Sequence, residues 1–190
     1  MPEYPDLTIY VEALEAHIGG EPLEALRIQS PSLLKSVAPP PQILEGEIVE
    51  GIFRMGKRLV FEFSDERYLV LHLMIAGRLH LKKRGVAIPR KRAHAAFDFP
   101  KCSILLTEAS TKKRASLHVI EGIANLALLD PGGLDVFTAS PEAFREPLER
   151  ERHTLKRSLT DPHFYSGIGN AYSDEILHRA GLSPIKMSDR

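Results

Sequence analysis

Ser166-Gly167-Ile168-Gly169-Asn170-Ala171-Tyr172-Ser173-Asp174-Glu175 is the stretch of this 190-residue chain whose residue types and spacing first suggest chemistry. Two glycines at i and i+2 permit a tight backbone with positive φ, and Asn170 can cap a helix that follows. Exposed amides at such a helix start, with the helix dipole behind them, make a ready site for an anion. An isolated Gly-x-Gly-Asn is more often an ordinary turn between helices. The segment therefore needs support from elsewhere in the chain.

Charge supplies some of it. Lys plus Arg and Asp plus Glu both number 25, so the formal net charge is zero, but the distribution is uneven. Residues 1–50 carry net −7, residues 51–77 net +1, residues 78–118 net +9 and residues 119–190 net −3. The basic block holds 11 cationic and 2 acidic side chains, among them Arg78, Lys82, Arg92, Lys112, Lys113 and Arg114. Clustering of this kind marks either a polyanion-binding face or a solvated hairpin surface.

Other chemistries are excluded by what is missing. The single cysteine, Cys102, rules out an intrachain disulfide and a multi-cysteine zinc site within these residues. There is no apolar run of the roughly 18 residues needed to span a membrane and no signal-peptide pattern, so a soluble protein of a reducing compartment is expected. No nucleotide-binding glycine loop, nucleophile elbow or His-Glu-x-x-His motif is present, which leaves little support for a small-molecule enzyme.

The elements that must position these residues follow from periodicity. Leu7, Val11, Leu14 and Ile18 recur at helical spacing between Pro5-Asp6 and Gly19-Gly20. From residue 47 to 120 the period changes to two, with strands expected at Ile48 to Met55, Leu59 to Phe63, Tyr68 to Leu73, Ala95 to Phe99, Ile104 to Thr107 and Leu117 to Ile120. Ser64-Asp65-Glu66 and Pro100-Lys101 supply turns. Beyond Leu129 the pattern is helical: a start at Ser140-Pro141, then short helices from Thr154 to Leu159 and from Ala171 to Ala180, the last stopped by Gly181. The expected class is α+β: a helix-flanked antiparallel β-sandwich over residues 1–130 and a helical domain over residues 131–190.

Three motifs in order resemble one family. Gly167-Ile168-Gly169-Asn170-Ala171-Tyr172, followed by Arg179-Ala180-Gly181-Leu182-Ser183-Pro184, resembles the helix–two-turn–helix of the formamidopyrimidine-DNA glycosylase and endonuclease VIII family. Met1-Pro2-Glu3-Tyr4-Pro5-Asp6 is similar to that family's opening, and Gly56-Lys57-Arg58 with His72-Leu73-Met74-Ile75-Ala76-Gly77-Arg78-Leu79 to its central motif. The resemblance covers most of the chain.

It implies a base-excision-repair DNA glycosylase with AP lyase activity, acting on damaged double-stranded DNA as a monomer and removing oxidised bases. Pro2, freed from Met1, would be the nucleophile at C1′, and the iminium ion formed would permit β- and δ-elimination. Glu3 would be the general acid–base and Asp6 a secondary carboxylate, one methylene shorter than the family's glutamate. Lys57, counted as catalytic with Pro2 and Glu3, would hold phosphates together with Asn170 and Gly169, with Arg78, Lys113 and Arg114 as further DNA contacts. Ile75 and Met74 stand where the family fills the space left by an extruded base, and Ala115 where its aromatic wedge would be. His72, between apolar neighbours, reads as a packed or hydrogen-bonded histidine.

The family usually continues into a zinc finger. No cofactor is expected in this chain, and one zinc ion only if a finger lies beyond residue 190. The ending Met187-Ser188-Asp189-Arg190 offers no closing element, so the chain reads as a fragment. The expected location is the cytoplasm, at the nucleoid in a bacterium, or the nucleus or an organelle in a eukaryote. The competing reading is a non-catalytic nucleic-acid-binding module of the same fold.

Overall fold

Alternating apolar residues from Val49 onward, with one earlier strand, build two four-stranded antiparallel sheets. The computed structural model describes residues 1–188, and those residues cluster into two units. The first holds residues 1–2, 6–54 and 58–128; the second holds residues 3–5, 55–57 and 129 onward.

In the first unit, helix α1 (Tyr4–Ile18) begins earlier than the periodicity suggests, with Asp6 in its first turn beside the positive end of the helix dipole. Its buried face carries Leu7, Leu14 and Ile18. Eight strands follow: β1 (Ala25–Ile28), β2 (Val49–Met55), β3 (Arg58–Phe63), β4 (Arg67–His72), β5 (Gly77–Lys82), β6 (Ala93–Asp98), β7 (Ser103–Glu108) and β8 (Ser116–Glu121). They form sheets ordered β1-β6-β7-β5 and β2-β3-β4-β8. One core joins alternate residues of both sheets, including Phe61, Leu69, Leu71, Phe97, Ile104, Leu106, Leu117 and Val119. The rings of Phe61 and Phe97 stack between the sheets with centroids 6.1 Å apart. This is the expected sandwich.

Some elements depart from the expected pattern. Strand β5 alternates Arg78, His80 and Lys82 with Leu79 and Leu81, and its charges hide the period. Helix α2 (Ile123–Ala127) is a five-residue helix after β8. The register pairs Gly77 with Glu108, which places the turn before β5 beside the loop after β7.

The second unit contains α3 (Pro141–Arg150), α4 (Leu155–Thr160) and α5 (Asn170–Arg179). Ser140 and Thr154 cap α3 and α4 through their side-chain oxygens. The core is Leu155, Leu159, Phe164, Tyr165, Ile168 and Leu177, with Phe144 and Leu148 packed against it. The Tyr165 hydroxyl donates to the Phe144 carbonyl at 2.6 Å, and burial pushes its pKa well above the usual tyrosine value. The end of the described chain does fold back: Met187 bridges to Thr154, and the Ser188 amide donates to the His153 carbonyl. Asp189 and Arg190 lie outside the described residues.

Candidate catalytic terminus and nucleic-acid interface

Glu3 is the centre of the second unit's site. It is only 3% exposed. Its Oε2 accepts the amide hydrogens of Gly169 at 2.8 Å and Tyr172 at 3.0 Å, and its Oε1 accepts that of Ala171 at 2.9 Å. Three amides at the start of α5, which would otherwise lack partners within the helix, are satisfied by one internal carboxylate. The Tyr4 amide donates to the Gly167 carbonyl at 3.0 Å, and the Tyr4 and Phe137 rings meet at 4.4 Å. The N-terminal tip is thereby bound to the turn before α5.

This arrangement corrects two expectations. Asn170 is the first residue of α5 rather than its cap; the cap position is Gly169, and no side chain of the turn bonds to the helix amides there. The amides of Gly169, Ala171 and Tyr172 are also already engaged by Glu3, so the helix start is not an open anion site. What remains toward solvent is the exposed side chain of Asn170. Gly169 itself is required by close approach, because a Cβ there would lie 2.5 Å from Glu3 Oε1 and 2.6 Å from its carboxyl carbon. Gly167 has φ of 82° and so favours glycine by conformation.

Lys57 follows the Gly56 turn in the same unit and is partly buried. Burial lowers its pKa from the ordinary lysine value, and the Glu3 carboxylate partly offsets this. Pro2, buried, directly precedes Glu3 in the chain; with Met1 attached its nitrogen belongs to a peptide bond. Glu3, Lys57, Gly169 and Asn170 thus fall in one unit, and Pro2 and the exposed Asp6 fall in the other.

The first unit carries the remaining candidates at one end of sheet β1-β6-β7-β5. Ile75 is 57% exposed at the tip of a turn in which Met74 takes a left-handed conformation, φ 52°. The Met74 amide donates to His72 Nδ1 at 3.0 Å and the Gly77 amide to the Leu73 carbonyl at 2.9 Å. His72 is therefore hydrogen-bonded at Nδ1, as expected of a packed histidine. Arg78 folds back on this turn, donating to the Gly77 carbonyl at 2.6 Å and the Ile75 carbonyl at 3.3 Å.

On the neighbouring loop, Lys112, Lys113 and Arg114 are exposed, while Lys113 also donates to the Glu108 carbonyl at 2.5 Å. Ala115 is not at the tip. It is 5% exposed and belongs to the sandwich core, so it cannot occupy a wedge position. The residue overlooked in the sequence is Glu108, whose carboxylate accepts the amides of Arg114 and Ala115. Its signal was available, as one of only two acids in the most basic stretch of the chain.

Among the described residues, no group of three or more His, Cys, Asp or Glu side chains is arranged to hold a metal ion. No helix among the described residues is long and apolar enough to cross a membrane.

Comparison with known proteins gives a consistent family. Residues 1–114 match the model of the formamidopyrimidine-DNA glycosylase N-terminal domain. Formamidopyrimidine-DNA glycosylase of Exiguobacterium sibiricum is 30% identical over 193 residues, covering 97% of this chain and 68% of that protein. The Mycoplasma genitalium protein of the same name is 28% identical over 196 residues, covering 100% and 68%. Among solved structures, MutM in complex with DNA containing carbocyclic 8-oxo-G superposes with a TM-score of 0.86 at 25% identity, over 99% of this chain and 71% of that one. Lactococcus lactis Fpg in complex with abasic-site DNA gives 0.86 at 24% identity, over 99% and 70%.

Proposed function

This chain belongs to the formamidopyrimidine-DNA glycosylase family of DNA-repair enzymes, and from that premise we propose that it excises oxidised bases from duplex DNA and cuts the strand through Pro2. The observation that carries the reading is the clamp on Glu3. The residue next to Pro2 is anchored by three amides at the start of α5, whose exposed Asn170 side chain is suited to a DNA phosphate.

In the proposed reaction the neutral amine of Pro2, with Met1 removed, attacks C1′ of the damaged nucleotide. The N-glycosidic bond breaks, and the base leaves with the bonding electron pair and is protonated. Opening of the sugar gives an iminium ion on Pro2 that acts as an electron sink. Loss of a C2′ proton then expels the 3′ phosphate, and loss of a C4′ proton the 5′ phosphate. Water hydrolyses the iminium and returns the free amine. Glu3 relays protons at the sugar and also holds the terminus in place. Lys57, with its charge partly shielded from water, binds the phosphate beside the lesion more strongly than an exposed lysine. Ile75 fills the space left by the extruded base, and Arg78 braces the turn that carries it. The protein works as a monomer on damaged DNA.

Borohydride trapping on an abasic-site duplex tests the reading. Protein processed to Pro2 becomes covalently linked to DNA, Pro2→Gly traps less, and a form that retains Met1 does not trap. Undiminished trapping by the Met1-retaining form would move the nucleophile to a lysine such as Lys57. No trapping by processed protein would leave a binding module without catalysis.

A further inference from the structure

We propose that Glu108 is the positioning residue of the basic loop 109–114, fixing its return so that Lys112, Lys113 and Arg114 meet the DNA backbone in one arrangement. The proposal rests on the DNA reading above and adds to it a residue outside the three motifs.

Glu108 is 1% exposed, at the end of β7. Its Oε1 accepts the Arg114 amide at 2.9 Å; its Oε2 accepts the same amide at 3.1 Å and the Ala115 amide at 3.3 Å. Its carbonyl accepts Lys113 Nζ at 2.5 Å, and its own amide donates to the Arg92 carbonyl at 2.8 Å. His94 Nε2 lies 3.2 Å from Oε2. Burial lowers the pKa of His94 despite the attraction of Glu108.

A carboxylate withdrawn from water must be met by donors, and here the donors are the closing amides of the loop itself. Any loop conformation that does not return to Arg114 and Ala115 leaves that charge unsatisfied. The loop, Ala109-Ser110-Thr111-Lys112-Lys113-Arg114, has no glycine or proline to hold its shape. Its three consecutive cations repel one another, and the buried negative charge beneath them offsets that repulsion. Ala115 seats the end of the loop in the core. Because Glu108 pairs with Gly77, the anchor also sets the loop against the turn that presents Ile75.

Glu108→Gln tests this, since it nearly preserves volume while replacing one acceptor oxygen by a donor. Two readouts are needed: amide exchange at Arg114 and Ala115, and the salt dependence of binding to an undamaged duplex. Exchange at both amides is expected to rise at least tenfold, and the slope of log K against log salt to flatten by about one to two units. In the Glu108→Gln background, Arg114→Ala should show less than half of its wild-type effect on log K; a role confined to packing would leave the two effects additive.

Unchanged exchange, an unchanged slope or additivity overturns the proposal. If Glu108→Gln does not fold, Glu108→Asp keeps the charge with a shorter reach and is read by the same measurements, with smaller shifts in the same directions. A wild-type protein without salt-dependent affinity for duplex DNA would refute the DNA reading. Amide exchange would still decide whether Glu108 anchors the loop.

Discussion

The Glu3 carboxylate accepts the Gly169 amide hydrogen across 166 positions of chain, at 2.8 Å, and both residues are buried. A single side chain near the N-terminus therefore completes a helix near the other end. Carboxylate bonds to backbone amides at a helix start combine charge-assisted hydrogen bonding with the favourable end of the helix dipole.

Replacing that carboxylate by an amide turns at least one donor toward the donors of α5. Glu3→Gln is expected to destabilise the fold by about 1–3 kcal/mol, measured by urea denaturation. Gly169→Ala, which forces a Cβ against the same carboxylate, should act in the same direction by about 1–3 kcal/mol. Wild-type stability in both variants would mean that the clamp does not hold in solution.

Lys57 and Asn170 should separate in their salt dependence. Lys57→Ala is expected to flatten the slope of log K against log salt by about one unit, because one cation no longer displaces a counterion. Asn170→Ala should weaken binding at every salt concentration with little change in slope, since a neutral amide releases none. Lys57 also has a lowered pKa, so its contribution is present below that value and lost as pH rises through it. In protein–DNA titrations this loss should begin at lower pH than for an ordinary lysine. Equal slopes for the two variants would contradict the assignment.

Ile75 is exposed, so Ile75→Ala should change stability by no more than about 0.5 kcal/mol. On the proposed function its effect belongs to base extrusion. Excision of a damaged base from duplex should fall much more than cleavage at a preformed abasic site, as single-turnover assays on the two substrates would show. An equal fall on both would remove Ile75 from the extrusion step.

Acid stability should depend on Asp98, which receives bonds from Arg27 at 2.5 and 2.9 Å and from Ser103 at 2.5 Å. Burial pushes this carboxyl up, but the Arg27 and Ser103 bonds outweigh it and hold its pKa below the ordinary 3.8. A carboxyl lowered on folding contributes stability above its unfolded value, and that contribution is lost as pH falls through the folded one. Asp98→Asn should therefore lower stability at neutral pH and show a flatter decline below about pH 4 in pH-dependent denaturation. A decline as steep as wild type would exclude Asp98 as a source of the acid sensitivity.

Much of this fold is legible along the chain, because local period reports burial directly. Leu7, Leu14 and Ile18 mark α1, and the alternation through Leu59-Val60-Phe61-Glu62-Phe63 marks β3. Strand β5 escapes because Arg78, His80 and Lys82 read as charge rather than as the outer side of a strand. The motifs name Glu3, Lys57 and Asn170, but not what they touch. No local pattern connects Glu3 to an amide at position 169, so Asn170 looks like a cap until a distant carboxylate is found in that role. Ala115 and Glu108 were misread or missed for the same reason. Their burial depends on how the β7–β8 loop closes, and the loop's own composition is polar from Ser110 to Arg114.

The clamp on Glu3 also fixes a length. One peptide bond separates it from Pro2, so the terminus has no slack to absorb an added residue between them. An insertion there would displace the terminal nitrogen by up to about 3.6 Å, more than a reacting distance allows. Residues left ahead of Pro2 by a purification tag would instead keep that nitrogen acylated. On the proposed role of Pro2, a recombinant preparation can thus be folded, pure and inert, with the fault confined to where its first residue begins.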